Sequence, residues 1–300
     1  MMRGPEGYAV AVRGPGGDII THYKKQPSPT SRAGVWRWPL LRGVAALVDS
    51  VVVGVEALIL SANEAVGEDE KITKTEGGLV VLAGFAIAIG LFVLLPTVVA
   101  GPLRALGATT VVVNLGEGLL RLAILVAYVA AAGRMPDMRR VYEYHGAEHK
   151  VINAYDAGSP IDPQSAARFG TAHPRCGTSF LLFVVVVSIL TFSVFGWPNL
   201  WVRLGTRLAL LPVVAGLAYE LTRLGATSRT PAWRWLTAPG MWLQRLTTRQ
   251  PDMPQLEVAA AALAALNPPP RDPAGGSRPA GPGHPTRPGR PDGREPAERV

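Results

Sequence analysis

Two hydrophobic patterns alternate along the chain: long unbroken apolar runs, and shorter stretches in which apolar and charged residues mix. Leu79 to Ala100 is almost purely apolar and matches the roughly 20 residues a helix needs to cross hydrocarbon. A second run spans Thr109 to Ala132, a third Thr178 to Trp197 and a fourth Leu200 to Leu224. Ahead of these, Leu40 to Ala65 is also helical and mostly apolar. Arg42, Asp49, Glu56 and Asn63 recur in it every seven positions, which draws one polar stripe along the helix. Such a helix either lies in the membrane interface or packs its stripe against protein, so spanning and surface placements both stay open for residues 40–65.

The mixed stretches predict smaller elements. Tyr8 to Val12 and Asp18 to Thr21 flank Gly14-Pro15-Gly16-Gly17, a hairpin with a glycine-rich turn. Pro136-Asp137 opens a helix, with Asp137 suited to the N-cap; Val141, Tyr144, Ile152 and Tyr155 form its apolar stripe and Gly158 its stop. Asp162-Pro163 reads as an N-cap followed by proline at the first helical position. The short helix it starts, ending about Phe169, folds His173 back toward the His145 helix. Trp233 to Leu246 places Trp233, Trp235 and Trp242 beside Arg234 and Arg245, as an interfacial helix does. Gln255 to Leu266 is alanine-rich and helical. From Asn267 onward Pro, Gly and Arg leave too few apolar residues for a core, and disorder is expected.

These elements predict a mainly α polytopic membrane protein. It has about four transmembrane helices, a helical cytoplasmic loop domain and a small N-terminal β-hairpin. The expected organisation is a hairpin and linker over 1–39, an amphipathic helix and charged loop over 40–78, and a first transmembrane pair over 79–132. A histidine-rich loop domain follows over 133–177, a second pair over 178–224, interfacial helices over 225–266 and the tail over 267–300. Composition agrees: 48% of residues are hydrophobic and 17% charged, and mean hydropathy is +0.20. The net charge of +8 gathers beside the apolar runs and in the tail, the distribution the positive-inside rule produces, so a lipid bilayer is the expected partner and nucleic acid is not. Arginines after Gly133 and Arg223 put both termini and the histidine loop in the cytoplasm. No signal peptide pattern opens the chain, and a single cysteine excludes an intramolecular disulfide.

Candidate chemistry concentrates between Tyr142 and Phe180, which hold three of the five histidines and the only cysteine. His145 and His149 are one helical turn apart on one face, with Glu148 beside them. This is the H-x-x-E-H order in which histidines bind zinc and the glutamate acts as base. His173 and Cys176 are third and fourth candidate ligands. If both bind, the site is closed and structural; if one binds, a position stays open for chemistry. The bland alternatives are a polar helix face for the histidines and a small buried apolar residue for Cys176. Glu117 and Arg121, four apart within a span, either mark function or lock helices together. Asp49, Glu56, Glu117, Arg121, Arg175 and Glu220 are candidate outer or additional groups.

The blocks Y-H-G-A-E-H-K and H-P-R-C-G-T-S-F resemble those of the YqhQ-like bacterial membrane proteins, as do Met1-Met2-Arg3-Gly4-Pro5, Ala218-Tyr219-Glu220 and Pro239-Gly240. That family has no known function and is labelled as predicted metal-dependent enzymes; its members carry a further glycine-rich segment before the M-M-R-G block. The resemblance implies a divalent metal, zinc by donor type, but no reaction. Three functions follow. One is a zinc-dependent membrane hydrolase with His145, His149 and His173 or Cys176 as ligands and Glu148 as base. Another is a non-catalytic scaffold whose structural metal site supports docking of a cytoplasmic protein partner. The last is a transporter using Glu117, Arg121 and Glu220, which lacks the repeat signature of such folds.

Overall fold

The computed structural model describes residues 1–29, 38–65, 73–174, 176–195, 198–227 and 230–266. Trp36 and Arg37 of the expected linker, the acidic loop at 68–71, Arg175 and the tail from Asn267 lie outside the described residues. So do the side chains of Trp233, Arg234 and Trp235.

Three strands, β1 (Met2–Arg3), β2 (Gly7–Arg13) and β3 (Ile19–Lys25), form an antiparallel sheet in that order. The expected hairpin is β2–β3, with Ala11 opposite Thr21 and Gly17 in the left-handed region at its turn. A third strand, β1, joins it by pairing Met2 with Ala9. Alternation along β2 serves two cores. Tyr8, Val10 and Val12 meet Val53 and Ala57 of helix α1 (Leu41–Ala65), while Ala11 joins the core formed by α6 (Pro136–Asp156), α7 (Pro163–Ala167) and α11 (Met253–Ala265). The alanine-rich 253–265 stretch is therefore the centre of this layer: Ala259, Ala260 and Ala262 pack against Ala147, Val151 and Ala154 of α6.

The polar stripe of α1 faces protein. Asp49 pairs with Arg3 at 2.5 Å, Glu56 accepts from Tyr8 at 2.8 Å and Lys24 at 2.7 Å, and Arg42 makes a two-pronged ion pair with Glu220. Its other face leaves Val48, Val51, Val52 and Leu58 exposed. Gly43 lies against Gly216 of α9 (Leu200–Thr227), so that α1 and α9 touch backbone to backbone.

Among the described residues, four helical stretches are long and apolar enough to cross a membrane: Leu41–Ala65, Thr75–Ala105, Thr110–Ala132 and Leu200–Gly225. The number expected holds but the membership shifts, because α1 qualifies and α8 (Thr178–Val194) has 17 residues. That helix stops where Phe195 turns extended, short of the expected Trp197. The second stretch is built from α2 (Lys74–Ile89), a π-helical turn at Gly90–Leu94, α3 (Leu95–Val99) and α4 (Gly101–Ala105). Pro96 has no N–H to give the carbonyl of Phe92, one turn back. Arg121 of α5 (Thr110–Ala132) takes that carbonyl instead, at 2.8 Å. Leu79, Val80, Leu82, Phe85 and Ile87 are all exposed along α2, a surface that soluble proteins rarely present.

Candidate metal centre

Helix α6 starts with Met135 as N-cap and Pro136 at its first position, two residues earlier than an Asp137 N-cap would place it. It ends at Asp156, before Gly158 in the left-handed conformation. Asp162 caps α7 by accepting from the Ser165 N–H at 2.8 Å, as the sequence predicts. Two side chains of α6 then strap the following loop down. Lys150 Nζ donates to the carbonyls of Ala167 and Phe169 at 2.9 and 2.7 Å, and Asn153 Nδ2 to those of Gly170 and Ala172 at 2.9 and 3.0 Å. Burial pushes the Lys150 ammonium below its usual value. The strapped loop delivers His173 and Cys176 onto the histidine face of α6.

The third wall is the chain leaving α10 (Pro231–Thr247). Arg249 N–H donates to the Tyr142 carbonyl at 2.9 Å, and the Arg249 carbonyl sits where a Cβ on residue 146 would be. Gly146 therefore admits a backbone. Gly146→Ala gains helix propensity of about 1 kcal/mol, yet it is expected to lower stability by roughly 1–3 kcal/mol through overpacking. Thermal unfolding of the purified variant checks the sign: an increase would mean that the 249 segment moves away freely.

His145 and His149 stand edge to face with ring centroids 4.4 Å apart. His145 Nε2 is 3.3 Å from Cys176 Sγ, and one ligand atom from each of His145, His149 and Cys176 falls within 4.8 Å of the others. His145 Nδ1 lies 2.9 Å from the Thr247 carbonyl and His149 Nδ1 2.5 Å from the Thr171 carbonyl. A carbonyl only accepts, so each Nδ1 carries the proton and donates, which leaves Nε2 for the shared space. Burial raises the Cys176 thiol, but hydrogen bonds to His145 and His149 outweigh it and hold the group at about 5. Burial likewise lowers His145, and the bonds to Cys176 and to the Thr247 carbonyl more than restore it, lifting the imidazole above its ordinary value. The Thr178 N–H also points at the sulfur, 3.5 Å away. The His145–Cys176 contact thus draws the thiol toward thiolate and the imidazole toward its protonated form.

His173 stays outside the three-residue cluster among the described residues. Its ring lies 5.8 Å from that of His149, but Nε2 faces Asp156 Oδ2 at 3.3 Å, and Gln244 bonds both its main-chain N–H and carbonyl at 2.9 Å. Glu148 is partly exposed, and its Oε1 accepts from the Met1 ammonium at 2.6 Å. Asp49, Glu56 and Glu220 are held by the α1 stripe contacts, away from the cluster. Glu117 is buried in α5 among Arg121, Arg207 and Thr97. Sequence reasoning did not find the carbonyls of Thr171 and Thr247, or Gln244 and Asp156. Carbonyl partners leave no residue signature, whereas Lys150 and Asn153, three apart on one face of α6, are a signal that was there to be used.

Four helices fit to cross a bilayer, beside a separate helical layer that gathers two imidazoles and a thiol, define a membrane-type protein with a candidate metal centre. Residues 38–268 match a family described as proteins of unknown function (DUF1385), and the chain belongs to that family. It is 33% identical over 276 residues to the uncharacterized protein YqhQ of Bacillus subtilis (strain 168), covering 86% of each chain. No solved structure matches it.

Proposed function

We propose that this chain is an integral membrane protein that holds a divalent cation at His145, His149 and Cys176, and that it is a metal-dependent hydrolase. One observation carries the reading: three ligand atoms converge within 4.8 Å while both Nδ1 atoms are anchored on backbone carbonyls. Nitrogen and sulfur donors in this number suit zinc. When bound, zinc with three protein ligands keeps one place for water and lowers its pKa toward roughly 7. The Thr247 and Thr171 carbonyls fix the ring orientations and raise ligand basicity. His145 and His149 would offer Nε2 to the cation, and Cys176, its thiol lowered to about 5, would bring negative charge to it. Glu148, on the same helix, is the carboxylate assigned to accept a proton, and it does so only when its bond to the Met1 ammonium opens. The arginines at 134, 139 and 140, against Arg104 alone in the short turn of the first pair, support a cytoplasmic location for this layer and both termini.

A second reading makes the metal a structural staple in a scaffold that docks a cytoplasmic protein. Its support is that the cluster joins segments far apart in the chain: α6, the turn before α8 and, through Thr247, the end of α10. Metal analysis of the purified protein comes first: wild type without stoichiometric zinc ends both readings. Glu148→Gln separates them. Retained zinc with loss of the cellular phenotype is the hydrolase outcome; retained zinc with the phenotype intact is the scaffold outcome.

A further inference from the structure

Where α5 meets the layer that carries the His/Cys cluster, there is an open cavity of about 610 Å³. Its described lining sets Arg134, Arg139, Arg245 and Arg249 against one carboxylate, Glu143. Three parts of the chain bring these together. Arg134 comes from the turn after α5, Arg139 and Glu143 from the first turns of α6, and Arg245 and Arg249 from the end of α10 and the chain leaving it. Hydrogen bonds tie the walls. Arg249 Nη2 donates to the Gly133 carbonyl at 3.0 Å, Arg134 Nη1 to the Ala130 carbonyl at 2.7 Å and Arg139 Nε to Glu143 Oε1 at 3.2 Å. Each of these bonds uses one of the five N–H donors of its guanidinium.

The cavity sits at the carboxyl end of α5, one of the helices long and apolar enough to cross a bilayer. Tyr128 near that end, Met135 after Arg134, and Trp242 one turn before Arg245 are each more than half exposed. Exposed tyrosine and tryptophan beside arginine mark the level of lipid headgroups. Ala130 and Leu246 give the cavity an apolar side. Arginines clustered just outside a span attract anionic lipid. Thr248 lines the cavity while the carbonyl of Thr247 faces His145, so adjacent residues of one segment serve the cavity and the His/Cys cluster.

We propose that this cavity is a headgroup site, separate from the His/Cys cluster, in which the arginines take the phosphate oxygens of an anionic membrane lipid whose acyl chains run along α5. Guanidinium geometry suits two-pronged phosphate contact, and the apolar side with its exposed aromatic surround favours a lipid over a free ion. Native mass spectrometry and thermal unfolding test the full chain in neutral detergent with added phosphatidylglycerol, phosphatidylcholine or inorganic phosphate. Wild type should retain phosphatidylglycerol and gain stability from it, and phosphatidylcholine should do neither. The double variant Arg134→Gln/Arg245→Gln removes two exposed charges of the wall, and its retention should fall by about tenfold or more. Ala130→Phe, which fills the space without touching charge, should also weaken retention. Arg140→Gln removes an exposed arginine outside the described lining, and it should bind as wild type does. Zinc content should be the same in all of them, whether or not the cluster holds metal. Equal stabilisation by inorganic phosphate and phosphatidylglycerol, lost in the double variant, would overturn the lipid assignment in favour of a free anion. Equal retention of the two lipids, wild-type retention in both cavity variants, or as large a loss in Arg140→Gln as in the double variant would overturn the site.

Discussion

His145→Ala will strip the protein of its metal and, in the metal-free state, return Cys176 to a protonated thiol. The histidine supplies a ligand nitrogen, and it is also the main group holding the cysteine near 5 against burial, which pushes it upward. An unperturbed thiol titrates near 8.5. Wild-type metal-free protein should therefore show thiolate absorbance at neutral pH that disappears as pH falls through about 5, and the variant should show none at neutral pH. The sign carries over to stability. A thiol lowered on folding stabilises the fold fully above its unfolded pKa, and that contribution is lost as pH falls through the folded value. Metal-free wild type should lose the thiolate's contribution as pH falls toward about 5, offset in part by the His145 imidazole, whose raised value contributes stability in the opposite direction, and the variant should show neither effect. Loss of a partner that merely orients a ligand costs roughly 10–100-fold in metal affinity, and loss of the ligand itself should exceed that. Stoichiometric zinc in His145→Ala would remove His145 from the site.

How far this site is legible in sequence depends on which kind of atom does the work. The seven-residue stripe of α1, the glycine-rich turn after β2, the Asp162-Pro163 cap and the one-turn spacing of His145 and His149 are side-chain patterns, and each appears in the fold where periodicity or capping chemistry puts it. The carbonyls of Thr171, Thr247 and Phe92 are anonymous in sequence, so the tautomers of the histidines and the partner of Arg121 emerge only with coordinates. Long-range partner choice is equally hidden. Spacing four apart tells that Glu117 and Arg121 can meet, but not that Arg207, 90 residues on, takes the other oxygen. His173 and Cys176 both satisfied the spacing argument; only the direction of the loop, set by Lys150 and Asn153, turns one to Asp156 and the other to His145. Composition misjudged α11, because an alanine-rich helix looks the same in an interface and in a tight core.

Glu117→Gln will be the most destabilising single change among the apolar helices. Glutamine keeps the size of the side chain and one acceptor oxygen, so the cavity term is small and the experiment reads charge. With the carboxylate gone, Arg121 and Arg207 lose the anion they share, and removing one partner of a buried ion pair costs about 3–5 kcal/mol. For a chain of this size that corresponds to a fall in Tm on the order of 10 °C. Thermal unfolding of the variant in neutral detergent decides it: an unchanged Tm would mean that the carboxylate is not what holds Arg121 and Arg207 in place.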